Sequence, residues 1–350
     1  AYADAAGGMR VGPRSAGAEP GPVCYGRGGT ASTVTDANLL LGYLNPATLV
    51  GGDLPLDYAA AERAMGDLGS QLGLSLVDTA YGIHLIANAT MMRALQAVTS
   101  ERGRDPSQFS LLAIGGNGPV HATHLAESLG VRRVIVPPVA GLFSALGMLF
   151  ADVEHQFITA FFRRLDGVGA RDLDAVAAPY VAEARRLLAL EGYGDPGRHE
   201  IALYADVKYV GQTAPLALRL PAFPATDAML AEIPARYGEL HEQTYGYRSD
   251  REPLQLVALK VVGRGIPDRP RVPQRIVQAR EATAQRAERR AYFGPDLGWQ
   301  PAQLLPRSTL GWEPVRGPLI VEEYDATTVV RPQWSARVDG WNNIVLERMA

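Results

Sequence analysis

The stretch Leu111–Pro138, LLAIGGNGPVHATHLAESLGVRRVIVPP, constrains the fold more than any other part of the chain. Leu111–Ile114 is an apolar run too short for a helix, and Gly115-Gly116 ends it. Asn117 or Gly118 can cap a helix whose first position is Pro119, where a missing N–H costs nothing. Ala122, Leu125, Ala126 and Leu129 recur at helical spacing, and Gly130 stops the helix. Val134–Val136 is a second strand, closed by Pro137-Pro138. Two buried strands joined by one helix make a right-handed parallel crossover, and such units bind ligands beyond the carboxyl ends of their strands. Gly115–Pro119 falls there. Glycine lets the backbone approach a ligand closely, and a helix start offers free N–H groups to an anion, which makes the loop a candidate nucleotide site. A plain tight turn is the simpler reading of the same residues, because glycine is the default residue for a strand-to-helix turn.

The rest of the chain bounds what such a site serves. At 350 residues it has room for two or three domains of about 100–200 residues each. With 47% hydrophobic and 20% charged residues it has the composition of a globular protein with ample core. A net charge of −3 and the lack of a dense Lys/Arg cluster argue against a nucleic-acid surface. The single cysteine, Cys24, excludes an internal disulfide framework and suggests a reducing compartment. No apolar run approaches the roughly 18 residues of a membrane span and no signal peptide is visible, so a cytoplasmic protein with no membrane partner is expected. The sequence opens at Ala1 without a methionine, inside a strand–turn element (AYADAAGGMRVGP) where Asp4 before Gly7-Gly8 reads as a hairpin turn. A preceding segment in the complete protein is therefore expected.

Val11–Thr35 is too rich in Gly and Pro for a helix or central strand. A loop this long is functional or simply packed on the surface. On the functional reading it faces a substrate or phosphate, with Arg27 as the anion partner. Cys24 lacks a neighbouring base and reads as a buried thiol more readily than as a nucleophile. Thr35 or Asp36 can cap a short helix, ANLLLGYL, and a plain N-cap is the default for that aspartate. The sharper alternative has Thr35 and Asp36 presenting a hydroxyl and a carboxylate to a metal-bound phosphate. Helices are expected over Asp57–Gly73 and Leu76–Arg102. On the second, His84 and Asn88 are i, i+4 neighbours that read as a satisfied buried pair. His121 and His124, three apart, lack the further ligands that zinc requires. His121 lies nearer the glycine loop and is the better candidate to touch a ligand. Gly141–Asp152 reads as a helix packed on both sides. Beyond it come a strand over Val153–Phe162, a helix over Asp172–Glu191, and a hairpin over Ala202–Leu220 that turns at Gly211. A helix over Met229–Gly246 and a strand over Leu254–Val262 follow. Pro267–Pro273 and the polar run after it read as a linker, and the remainder as a small β-rich domain.

Several blocks together resemble the hydantoinase A/oxoprolinase family: PGPVCYGRGGTASTVTDANLLLGYL, AIGGNGPVHA, VIVPPVAGLFSALGMLFADVEH, DVKYVGQ, HEQTYGYR and GPLIVEEYDATTVV. The family comprises ATP-dependent N-methylhydantoinases, 5-oxoprolinases, caprolactamase, and acetone and acetophenone carboxylase subunits. The resemblance implies an α/β, actin-like (ribonuclease H-like) nucleotidase in which two lobes close over ATP. It implies that residues 1–155 are the second lobe, 156–266 an α+β domain, 267–291 a linker and 292–350 a β-rich C-terminal domain. The first phosphate loop would sit on an N-terminal lobe of the same protein or on a companion chain. Carried onto this sequence, the adenosine contacts fall on Gly115, Gly116, Asn117, Gly118 and Pro119, with His121 beside them. Asn117 departs from the small residue expected at its position. Thr35 and Asp36 would face the phosphates and Mg²⁺ or another divalent metal, with Asp36 the metal ligand, and Arg27 the transferred phosphoryl group.

The implied chemistry is phosphorylation of a lactam, hydantoin or 5-oxoproline carbonyl to drive hydrolytic ring opening. A hydantoinase B-type subunit would be the partner in a hetero-oligomer acting on a small-molecule substrate. No activity is expected without that partner and the N-terminal lobe. An ATP-dependent carboxylase subunit, and a non-catalytic lobe or assembly fragment, are the alternative readings.

Overall fold

The computed structural model describes residues 1–221, 223–267, 276 and 287–349. The chain divides into two compact units. One comprises Ala1–Thr99, Asp105–Met148 and Gln274–Ala350, and the other Ser100–Arg104 and Leu149–Pro273.

The first unit opens with a hairpin of β1 (Tyr2–Ala3) and β2 (Met9–Arg10). Asp4 holds its turn, accepting from the N–H groups of Ala6 at 3.0 Å and Gly8 at 2.8 Å. Next come α1 (Val34–Leu40), the short pair β3 (Thr48–Leu49) and β4 (Leu54–Pro55), α2 (Tyr58–Leu72) and α3 (Leu76–Ser100). Helix α2 starts at Asp57, whose carboxylate accepts from the Ala60 N–H, and stops at Gly73, a left-handed C-cap with φ +69°. Its buried stripe of Ala61, Met65 and Leu68 packs with Leu39 and Leu40 of α1 and Ala80 and Ile83 of α3. The expected crossover is present: β5 (Leu111–Leu112) lies parallel to β6 (Arg133–Val136), joined by α4 (Gly118–Leu129). Gly130 ends α4 in the left-handed region, φ +70°. Helix α5 (Phe143–Phe150) follows. It is apolar all round, yet none of its residues is buried among the described residues, and Met148 is 79% exposed. That differs from the doubly packed helix its composition suggests: Phe143, Leu146 and Phe150 are half-buried and the rest of the helix is exposed.

The second unit is an α+β layer pair. It contains β7 (Glu154–Arg164), α6 (Ala170–Leu190), β8 (His199–Tyr209), β9 (Leu216–Leu220), α7 (Asp227–Tyr245) and β10 (Leu254–Gly265). The strands form an antiparallel sheet of order β7-β10-β8-β9. Period-two alternation sends Leu203, Ala205, Val207 and Tyr209 of β8 to one face. There they meet Leu173, Ala177 and Val181 of α6 and Met229, Ile233 and Tyr237 of α7.

The chain then returns to the first unit as β11 (Ala287–Tyr292), β12 (Trp299–Leu305), β13 (Val315–Arg316), β14 (Leu319–Glu322), β15 (Thr327–Val330), β16 (Trp334–Val338) and β17 (Ile344–Arg348). One sheet has the order β11-β12-β14-β15 and another β13-β16-β17-β6-β5. This corrects the expectation of a separate C-terminal domain over 292–350. Strand β17 pairs antiparallel with β6, Ile344 opposite Val136, so the last strands complete the sheet that the crossover begins. Trp334, Ala336, Ile344 and Leu346 share a core with Val134, Val136, Ala122 and Ala126. A two-strand crossover cannot bury both faces alone, and the C-terminal strands supply the missing area. Most of the expected linker, 267–291, lies outside the described residues. Among the described residues no helix is long and apolar enough to cross a membrane.

Candidate functional site

The glycine loop is tied down by two distant segments of the first unit. Gly115 has φ +85°, where glycine alone is unstrained, and its N–H donates to Ala140 O at 2.7 Å. Gly116 O accepts from Thr327 N–H at 3.3 Å, and Gly141 N–H donates to Asp325 Oδ2 at 2.8 Å. A Cβ on Gly141 would stand 2.2 Å from Asp325 O, so the 140–141 and 325–327 segments meet only because that residue is glycine. Nothing lies within 4 Å of a Cβ placed on Gly115, whereas one on Gly116 would meet Asp325 O at 3.1 Å. Asn117 is the N-cap of α4 and its side chain makes no capping bond. The N–H groups of Gly116, Asn117 and Gly118 donate to no acceptor among the described residues. Pro119, buried in the first turn, brings no N–H. The loop thus presents a short row of unpaired donors at the positive end of α4.

The 22–36 loop is built differently from its expectation. Asp36 is fully buried. Its Oδ1 accepts from Cys24 N–H at 2.8 Å, and its Oδ2 accepts from Val23 N–H at 3.2 Å, Thr33 N–H at 2.9 Å and Thr33 Oγ1–H at 2.8 Å. Thr33 Oγ1 accepts in turn from Asp36 N–H at 3.3 Å, so Thr33 caps α1 and Asp36 closes a capping box. Neither Thr35 nor Asp36 is the cap. A carboxylate saturated by donors of its own chain and shut off from solvent has no face for a phosphate or a cation, so the expected metal ligand is instead the brace that folds the loop onto the helix. Among the described residues no group of three or more His, Cys, Asp or Glu side chains is placed to hold a metal ion. Thr35 is half-buried in the first turn of α1, and Arg27 is exposed on the loop. Cys24 is buried, and burial together with the Asp36 charge pushes its thiol pKa far up, which removes the thiolate a nucleophile needs.

The two motifs meet through a buried polar relay that spans three helices. Asn38, two residues after Asp36 on α1, accepts at Oδ1 from His84 Nδ1 of α3 at 2.9 Å. Its Nδ2 donates to His121 Nε2 of α4 at 3.1 Å. An amide nitrogen only donates, so His121 Nε2 is an acceptor and the ring carries its proton on Nδ1. That proton goes to Asn88 Oδ1 of α3 at 2.7 Å. The rings of His84 and His121 stack at 4.6 Å, 17° from parallel, and His124 meets His84 edge-on at 5.6 Å. Burial, then the mutual charge of the neighbouring histidines, holds His84 well below its ordinary pKa and lowers His121 to about 4. His124 is lowered by burial and by Arg331, against an opposing pull from Glu127.

The relay corrects two expectations. His84 and Asn88 do not bond each other but reach opposite ends of the chain of bonds. His121 does not face a ligand, because both ring nitrogens are used inside the protein. Asn38 was the missed member; a lone Asn amid ANLLLGYL, the apolar core run of α1, is the signal that could have found it.

Sequence reasoning also missed a buried ion pair behind the loop. Arg307 and Glu323 form a two-pronged bond, Nε to Oε1 at 2.6 Å and Nη2 to Oε2 at 2.9 Å. Arg307 Nη2 also donates to Pro137 O at 3.0 Å, at the carboxyl end of β6. A fixed guanidinium thereby joins the carboxyl end of β6, the neighbour of the strand that carries the candidate site, to the β14–β15 turn. Arranged this way, the site can hold a polar ligand on backbone donors.

Residues 1–157 match the family described as Hydantoinase/oxoprolinase. Over 345 residues the chain is 32% identical to caprolactamase subunit alpha of Pseudomonas jessenii, covering 97% of this chain and 49% of that one. The crystal structure of the ATP-dependent caprolactamase from the same organism superposes with a TM-score of 0.82 at 31% identity, covering 99% of this chain and 51% of that chain. Over 150 residues there is 41% identity to the acetophenone carboxylase gamma subunit of Aromatoleum aromaticum, covering 43% of this chain and 20% of that subunit. The chain spans about half the length of the caprolactamase subunit it matches.

Proposed function

We propose a function from the premise that this chain, through residues 1–157, belongs to the hydantoinase/oxoprolinase family: it carries one side of an ATP site in an enzyme that activates the carbonyl of a cyclic amide for hydrolytic ring opening. The observation that carries this reading is the loop of unpaired N–H groups at Gly116, Asn117 and Gly118, set at the carboxyl end of a parallel crossover. The open space beside Gly115 and the row of donors fit a nucleotide. ATP would supply the phosphoryl group. Asp36 is enclosed and offers nothing to a divalent cation, and among the described residues no group of three or more His, Cys, Asp or Glu side chains is placed to hold one.

An amide carbonyl is a poor electrophile, and a phosphoryl group on its oxygen turns that oxygen into part of a good leaving group. The carbonyl oxygen would displace ADP from the γ-phosphorus, and water would add to the activated carbon. The ring nitrogen would take a proton and leave as the C–N bond breaks, and a second water would cleave the resulting acyl phosphate to carboxylate and inorganic phosphate. This chain's share is positioning and charge stabilisation: backbone donors hold the nucleotide, and the Asn38–His121 relay fixes the angle between α1 and the loop helix. Arg27, exposed on the neighbouring loop, is the candidate cation for the transferred group. An actin-like closure over the nucleotide would bring in a second lobe, from the same protein or a companion chain. A B-type subunit would add the remaining catalytic surface, in the cytoplasm.

Carboxylation is the second reading, favoured by the 41% identity to the acetophenone carboxylase gamma subunit across 150 residues. An ATPase screen of the full complex separates the two. ADP release stimulated by a lactam, hydantoin or 5-oxoproline supports ring opening. Dependence on bicarbonate plus a ketone moves the assignment to a carboxylase, and no stimulation by either leaves a non-catalytic lobe.

A further inference from the structure

Strand β7 runs from Glu154 to Arg164 at the edge of the second unit's sheet, and on its outer side no described strand pairs with it. A long edge of this kind offers a row of unpaired backbone groups, and proteins ordinarily blunt such edges with proline, short length or charge. The middle of β7, Gln156–Phe162 (QFITAFF), carries none of these. Ile158 and Phe162 are 67% and 64% exposed on the face away from the helices, while Phe157 and Phe161 alternate with them toward the core. The register shift in the β7–β10 ladder falls opposite Phe161 and Phe162, and Glu154–Ala160 stays regular.

The strand is also complementary to itself. Acid stands at its start (Glu154) and base at its end (Arg163, Arg164). Laid antiparallel on a second copy about Thr159, it sets Glu154 against Arg164, Phe157 against Phe161 and Ile158 against Ala160. It also sets Arg163 against the His155–Glu191 pair, whose side chains lie 2.9 Å apart. The register keeps core-facing residues beside core-facing ones, which a shift by one residue would not. The present partners of these charges, Asp172 for Arg163, Asp166 for Arg164 and Arg264 for Glu154 at 3.0 Å, form partly or fully exposed ion pairs worth little, so exchanging them costs little.

We propose that β7 is a homodimer interface, two copies joining their four-stranded sheets edge to edge through a twofold axis at Thr159. The occupant is a second copy because the two ends of the strand carry opposite charges, which the twofold register sets against each other. The nucleotide assignment plays no part in this.

The test uses the full-length protein in sedimentation velocity. The wild type sediments as a dimer at micromolar concentration. Arg164→Glu, which places two like-charged pairs in the interface, weakens the dimer about tenfold, and adding Glu154→Arg restores it. Thr159→Cys cross-links under mild oxidation, since directly opposed strand residues have Cα atoms about 4.5–5.5 Å apart, within disulfide reach. The protein without the substitution is the control and does not cross-link through this chain, whose single cysteine, Cys24, is buried. Circular dichroism melts of the variants check that each is folded. A monomeric wild type overturns the proposal, as does a dimer indifferent to Arg164→Glu, or one that Thr159→Cys fails to cross-link.

Discussion

At the scale of single residues, the glycines of the loop are not interchangeable. A Cβ on Gly116 presses on Asp325 O at 3.1 Å, so substitution there confuses lost binding with a shifted loop. Gly118 has only Ala113 C, at 4.0 Å, near its Cβ position, and its φ is ordinary. Gly118→Val should therefore leave the melting temperature within a few degrees of wild type while abolishing ADP binding in calorimetry on the complete protein; unchanged affinity would count against the nucleotide assignment. Asp36 makes the opposite case. Asp36→Ala leaves the buried N–H groups of Val23, Cys24 and Thr33 without an acceptor, and should cost about 3 kcal/mol or more in urea unfolding. Full stability combined with lost metal dependence would instead mark Asp36 as a cation ligand.

At the scale of elements, α1, α3 and α4 are locked by a relay that works only with neutral rings. The sign of its pH dependence follows from His121, lowered from an ordinary 6.5 to about 4. As pH falls, the unfolded chain takes up the proton first. The stability is thus intact above pH 6.5 and declines between 6.5 and about 4. The loss by the acid end is about 3 kcal/mol for this ring, and His84 acts in the same direction. Urea midpoints measured across that window should fall steeply for the wild type and less steeply for His121→Leu, even though that variant starts lower at pH 7. Equal slopes would mean the ring is not buried neutral.

At the scale of the whole molecule, each unit has its own core, and the histidine relay and the Arg307–Glu323 pair both belong to the first. Differential scanning calorimetry should resolve two transitions. Arg307→Leu strands a buried carboxylate and should lower the transition of the first unit alone, by an amount equivalent to about 3–5 kcal/mol. A single transition that moves as one would show the units to be thermodynamically inseparable.

Local order was legible in the sequence because it rests on local causes. Gly130 and Gly73 end helices because they take φ values other residues avoid, and the crossover follows from an apolar run, a glycine pair and a periodic stripe. The strand alternation of the second unit was readable for the same reason. Partnership was not legible. Nothing near Asp36 in sequence says that Val23 and Cys24 fold back to claim its carboxylate, and a saturated buried aspartate and a metal-binding one begin with the same letters. Asn38 and His121 stand 83 positions apart and meet only because three helices pack on one core. Ile344 and Val136 pair across the whole inserted unit, so a tail that reads as its own domain completes a sheet begun two hundred residues earlier. Sequence periodicity determined which elements form and where they stop. Only the tertiary structure decided which polar groups face each other, because burial and hydrogen-bond satisfaction are properties of the packed chain.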